Sequence, residues 1–219
     1  MIAFRTPAEI AAALPAVVTH LARRGLIAYP TETVYGFGSV TAAAAVERLS
    51  ALKGREPGKP FLVLVADRHM LEGVGLRLTD AAERLAAAFW PGPLTLVLPG
   101  GEGILPDALR GPEGGVAVRW TSHRGAAQLI QTLGSPITST SANRPGQPSL
   151  MEAPAIEKSF AAAVAEGSLL VLDAGPLPDS PPSTLIDCTG SGPRVLRQGA
   201  IPRGRLASIV PALGGGGLG

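Results

Sequence analysis

The chain has 219 residues, 46% of them hydrophobic and 16% charged, a balance that allows a sizeable core and excludes an intrinsically disordered polymer. Nineteen Lys and Arg against 17 Asp and Glu leave a net charge of +2, too little for a protein that wraps nucleic acid chiefly by neutralising phosphates. One cysteine, Cys188, excludes an internal disulfide framework, no apolar run reaches the ~18–20 residues of a membrane span, and the N-terminus lacks signal-peptide order; a cytoplasmic protein without a membrane attachment is expected.

In chain order, "TPAEIAAALPAVVTHLARRG" predicts a helix with Thr6 as N-cap, Pro7 in its first turn, Glu9 completing a capping box, Gly25 as stop and Pro15 as a point of bending. "LIAYPT" reads as a short buried strand, and "TAAAAVERLSALKG" as a helix capped by Thr41 and closed near Gly54. "FLVLVA" over 61–66 is a strand, and Asp80 to Phe89 a helix with Asp80 and Glu83 as cap pair. "LTLVLPG" and "GVAVRW" are strands, "SHRGAAQLIQTLG" a helix ending at Gly134, "SPITSTSA" a strand and "EAPAIEKSFAAAVAEG" a helix. Three short strands follow, "LLVLDAG", "STLIDCTG" and "RVLRQGA". The alternation predicts one α/β domain over 1–205 with a mixed sheet. A Gly-rich C-terminal tail over 206–219 is expected to be mobile.

The chain holds no GxxxxGK[ST] phosphate loop, HExxH pair or GxSxG elbow, and its three histidines have no metal-ligand spacing, so no metal-binding residues are assigned. His20, inside a helical pattern, and Cys188, inside a strand-like one, read as structural; Trp90 reads as a core or corner residue.

Four polar clusters stand at strand ends, where open α/β sheets bind ligands. Thr31, Glu32 and Thr33 follow the first strand, and their hydroxyls either bind a ligand or serve a turn. "KGREPGKP" sets Lys53, Arg55 and Lys59 among Gly and Pro, an arrangement for anions or a solvated loop. Thr138, Ser139, Thr140, Ser141 and Asn143 crowd one strand tip and need partners if buried. Arg119 and Arg197 end apolar strands with no evident acidic partner, which leaves room for an anionic ligand. Together these features suit nucleotide phosphates, with magnesium held largely by the phosphates themselves.

Taken with "AYPTETVYGFG", "FWPGPLTLVL", "STSAN" and "LRQG", these clusters make the chain resemble the YrdC/TsaC-like threonylcarbamoyl-AMP synthases in their short, single-domain form. The family hallmark Lys-x-Arg with a distant Ser-x-Asn corresponds to Lys53, Arg55, Ser141 and Asn143. The resemblance implies a twisted, open-sided sheet around a large concave cavity. It implies ATP, L-threonine and bicarbonate as substrates, and threonylcarbamoyl-AMP and pyrophosphate as products, for threonylcarbamoyladenosine modification of tRNA by separate transfer proteins. By the same correspondence Lys53 and Arg55 would be catalytic. Lys53, Arg55, Ser141, Asn143, Ser149 and Arg197 would serve ATP, and Thr31, Arg119, Ser139 and Ser183 would serve threonine.

The chain departs from the family pattern at Glu56, at Leu64, where longer relatives have His, at Gly115, where threonine is common, and at Ser180-Pro181-Pro182. Two alternatives stay open: a paralogue of the same fold acting on another carbamoyl acceptor, and an RNA-binding module, with weak RNA binding compatible with the main reading.

Overall fold

The capping box begins the first helix in the computed structural model, which describes residues 1–55 and 59–214. In α1 (Pro7–Ala22), Thr6 Oγ1 accepts from the Glu9 N–H at 3.2 Å and Glu9 Oε2 accepts from the Thr6 N–H at 2.8 Å. Ile10, Ala13, Leu14, Val17 and Leu21 form its buried stripe, the spacing of one helical face. Pro15 does not interrupt α1, because it sits on the exposed side, where the carbonyl it leaves without an N–H faces solvent. Gly25 closes the turn that follows. A Cβ there would come within 2.3 Å of the His20 ring, whose Nε2 donates to the Leu26 carbonyl at 2.9 Å. His20 is thus a structural residue.

The strands are β1 (Ile2–Ala3), β2 (Leu26–Pro30), β3 (Tyr35–Gly38), β4 (Leu62–Val65), β5 (Leu94–Leu98), β6 (Val116–Trp120), β7 (Ile137–Ser141), β8 (Leu169–Asp173), β9 (Thr184–Asp187) and β10 (Arg194–Arg197). They form one sheet in the order β1-β8-β2-β3-β7-β4-β6-β5-β9-β10. The pairs β1/β8, β2/β8, β4/β6 and β5/β9 are parallel and the others antiparallel, so the sheet is mixed, as expected. Strand β3, "YGFG", is not apparent from the sequence pattern. Its glycines argue against a strand by propensity, yet a Cβ on Gly38 would lie 2.5 Å from the Thr138 carbonyl, so close strand approach requires glycine there.

The remaining helices are α2 (Ala43–Lys53), α3 (His69–Gly73), α4 (Asp80–Phe89), α5 (Arg124–Leu133), α6 (Ala153–Ser159), α7 (Ala161–Ala165) and α8 (Arg203–Ile209). Four expectations change. Thr41 does not cap α2, which starts after Ala42 without a side-chain cap. The cap of α4 is Thr79, whose Oγ1 accepts from the Ala82 N–H at 3.4 Å, and Glu83 instead pairs with Arg68. The single helix foreseen over "EAPAIEKSFAAAVAEG" is two, divided at Phe160, whose ring meets Phe37 edge-on at 4.7 Å. Residues 206–214 are packed: Leu206, Val210 and Leu213 are buried, on a helical spacing that the neighbouring glycine run obscures in the sequence. Residues 215–219 and Glu56 lie outside the described residues.

Strand alternation sends side chains to two separate apolar clusters. Leu26, Ala28, Val63 and Val65 join the larger one with α2, α4, α6 and α8. Ile27, Tyr29, Leu64 and Ala66 join the smaller one under α1 and α5. Beyond β4, β5 and β6 give Leu94, Leu96, Leu98, Val116 and Val118 to the larger cluster. Their alternate residues Thr95, Val97, Ala117 and Arg119 face a cavity of about 770 Å³ instead. The helix cover on that face stops partway across the sheet. Among the described residues no helix is long and apolar enough to cross a membrane.

Candidate active site

The cavity is built where the helix cover ends, and its size lies within the ~300–1,000 Å³ usual for small-molecule sites. Of the residues named from sequence, Arg55, Ser141, Ser149 and Arg197 line it, and so do Thr31, Arg119, Ser139 and Ser183. The nucleotide and threonine candidates therefore share one chamber. Lys53 and Asn143 stand behind its wall.

Gly54 divides the two hallmark cations. It takes a left-handed conformation with φ 57°, and the Arg55 N–H returns to the Ser50 carbonyl at 3.1 Å, a helix-terminating turn that suits glycine. Lys53, the last residue of α2, is buried at 7% exposure and donates to the Ser141 carbonyl at 2.7 Å, to the Asn143 carbonyl at 2.7 Å and to Asn143 Oδ1. Burial first, then the neighbouring Arg55 guanidinium, draws its ammonium down to about 8. Arg55, beyond the turn, reaches the cavity and rests on the Phe61 ring, 4.3 Å from its centre. It donates to the Lys59 and Pro60 carbonyls at 2.5 and 2.6 Å and to Thr140 Oγ1 at 3.1 Å.

The crowded tip of β7 is shared between two faces. Thr138 Oγ1 accepts from the Ser39 N–H at 2.8 Å and serves the structure, whereas Ser139, Thr140 and Ser141 line the cavity. Ser141 Oγ donates to Asn143 Oδ1 at 2.6 Å. Arg197 donates to the Ser183 carbonyl from Nε at 3.2 Å and from Nη2 at 3.0 Å, and Nη2 also lies 3.2 Å from Ser183 Oγ. Ser183 in turn shares a 2.8 Å hydrogen bond with Thr95. Burial first, then Arg119, lowers the Arg197 guanidinium's pKa.

Arg119 has an acidic neighbour that no local sequence pattern announced. Glu32 Oε1 lies 3.5 Å from Arg119 Nε, both atoms buried and without a hydrogen bond, while Thr121 Oγ1 donates to Glu32 Oε2 at 2.6 Å. Arg119 Nη1 donates to Thr33 Oγ1 at 3.2 Å. Sequence singles out Glu32 only as a member of "PTET", with nothing that links it to Arg119. Thr31 takes the turn role: its Oγ1 donates to the Val34 carbonyl at 2.7 Å and accepts from the Thr33 and Val34 N–H groups.

At the far rim Asp187 accepts from Thr189 and from Arg194, and Glu113 is 3.7 Å from Arg194. These contacts, led by the Thr189 hydroxyl, keep the Asp187 carboxyl below its usual range against the opposing effect of burial. The carboxylates lining the cavity are thus already engaged. Among the described residues Arg55 and Arg197 make no ion pair, and no cluster of three His, Cys, Asp or Glu offers a metal cage.

Two departures from the family pattern have a visible setting. Leu64 is the register partner of Arg119 but lies under α1 and α5, fully buried. A Cβ on Gly115 would come within 2.6 Å of both Thr189 Cγ2 and Val97 Cγ1, so a larger residue cannot enter without displacing them.

The Sua5/YciO/YrdC family model, described as "Telomere recombination", matches residues 19–199. The threonylcarbamoyl-AMP synthase of Pyrococcus abyssi (strain GE5 / Orsay) is 37% identical over 186 residues, covering 84% of this chain and 53% of the relative. The chain thus spans about half of that relative's length. The threonylcarbamoyl-AMP synthase of Thiobacillus denitrificans is 41% identical over 178 residues, covering 80% of this chain and 90% of the relative. The crystal structure of P. abyssi Sua5 complexed with L-threonine superposes with a TM-score of 0.84 at 34% identity, over 95% of this chain and 60% of that one.

Proposed function

The chain belongs to the Sua5/YciO/YrdC family, and on that premise we propose that it is a threonylcarbamoyl-AMP synthase acting on ATP, L-threonine and bicarbonate. The observation that carries this reading is the pair of guanidinium groups, Arg55 and Arg197, facing one cavity with neutral acceptors as their partners. Each keeps N–H donors to spare for an incoming anion, since a guanidinium carries five. With Ser141 and Ser149 they suit a triphosphate. Arg119, flanked by Thr31, Ser139 and Ser183, suits the carboxylate and hydroxyl of threonine.

In the reaction so read, the threonine amine takes up bicarbonate with loss of water to give a carbamate. A carbamate oxygen attacks the α-phosphorus, the bond to pyrophosphate breaks, and threonylcarbamoyl-AMP remains. The chain's part is to align the reactants and offset charge on the phosphates, which is the main protein contribution in phosphoryl-group chemistry. Magnesium fits as an ion carried by the phosphate oxygens, where it offsets their charge, because the lining carboxylates are held by Arg194. The adenylate then serves separate proteins that modify tRNA.

Incubation with ATP, L-threonine and labelled bicarbonate tests the assignment. Threonine-dependent pyrophosphate release with label in an adenylate is expected; tight RNA binding without that release contradicts it.

A further inference from the structure

We propose that Lys53 is a positioning residue: its ammonium is a tethered cation that holds the 141–149 segment in place, and it does not touch the phosphates itself. The ammonium has three N–H donors, and three carbonyl oxygens take them, those of the Ser141 and Asn143 backbones and of the Asn143 side chain. A buried charge is tolerated when its hydrogen bonds are made in this way. Lys53 makes no ion pair among the described residues and does not line the cavity. Reaching a phosphate would mean breaking at least one of the three bonds.

What those bonds hold is the segment that carries three of the ATP candidates, Ser141, Asn143 and Ser149. Asn143 is the junction: its Oδ1 accepts from Lys53 and from Ser141 Oγ, and its Nδ2 donates to the Gln147 carbonyl. The backbone adds Asn143 N–H to the Ser141 carbonyl at 3.0 Å, Gln147 N–H to the Arg144 carbonyl at 3.1 Å and Leu150 N–H to the Ala142 carbonyl at 2.8 Å, and Ala142 N–H ties the start of the segment to the Tyr35 carbonyl at 2.8 Å. Ser141 and Ser149, at its two ends, face the cavity. The Gly54 turn gives the two cations different roles, with Arg55 on the ligand side and Lys53 on the support side.

The proposal rests on the nucleotide reading of the cavity, but its first test needs no nucleotide. In Lys53→Met, which keeps the stem and removes the charge, the amides of Gln147 and Leu150 should exchange with deuterium at least ~10-fold faster in the ligand-free protein. Asn143→Ala should do the same, and it serves as the second variant if Lys53→Met does not fold. With substrates present, each variant should raise the KM for ATP about tenfold while changing kcat far less, and the double variant should be no weaker than the worse single one. Unchanged exchange in the free protein, with ATP affinity lost and the two substitutions acting independently, would show that Lys53 contacts the phosphates and would overturn the proposal. If the wild-type protein binds no ATP, the functional reading fails, and the exchange data still decide what Lys53 does.

Discussion

Leu64 and Arg119 are register partners on neighbouring parallel strands and point to the same face of the sheet, yet they serve opposite ends. Leu64 lies beneath α1 and α5 in the smaller apolar cluster; Arg119 lies where that cover has ended, at the edge of the cavity. One strand spacing separates a packed core from a chamber that takes ligand. The opposite face carries helices behind both halves, which keeps the sheet rigid where the near face is bare. A site on a fixed sheet holds its side chains more closely than one on free loops, and alignment is what the proposed reaction needs most.

Substitutions at this boundary separate the two halves. Leu64→Ala should lose about 2–5 kcal/mol of stability through the cavity it leaves, seen as a lower denaturant midpoint, with the KM for threonine unchanged. Arg119→Lys keeps a charge against Glu32 but loses the planar fork, so the KM for threonine should rise roughly 10- to 100-fold, about 1.4–2.7 kcal/mol, with the melting temperature nearly kept. Similar losses of stability in both variants would erase the distinction. Gly115→Ala forces its Cβ against Val97 and Thr189 and should cost about 1–3 kcal/mol by overpacking; adding Val97→Ala should recover part of it.

The smallest effect concerns the covered side. Burial, with Asp187 second, pushes the Cys188 thiol up to about 12, and it packs in the larger cluster. A thiol-specific reagent at pH 8 should therefore leave native Cys188 unmodified and label it quickly once the chain is unfolded.

The covered half was the more legible in sequence. Periodicity gives α1 and α5, and continuous apolar runs give β2 and β4, because burial on both sides of a strand writes itself into composition. The cavity candidates were legible as hydroxyls and cations at strand ends, but only as a set. Which of five neighbouring residues at the tip of β7 face the ligand is decided by pairing: Thr138 is claimed by Ser39. Nor could sequence separate Lys53 from Arg55, since the division depends on the φ of one glycine. The Glu32–Arg119 pair joins residues 87 apart in number, from the loop after β2 and from β6, and only the folded sheet brings them together, which no local pattern carries.

Methyl-resolved NMR tests the division of the sheet face most directly. Val97, Leu185 and Leu196 line the bare half, whereas Leu64, Leu129 and Ile130 lie in the covered cluster. On addition of ATP and L-threonine the first three should shift and the second three stay in place. Shifts confined to the covered cluster, or absent from Val97, Leu185 and Leu196, would contradict the bare half of the sheet as the place where the reactants meet.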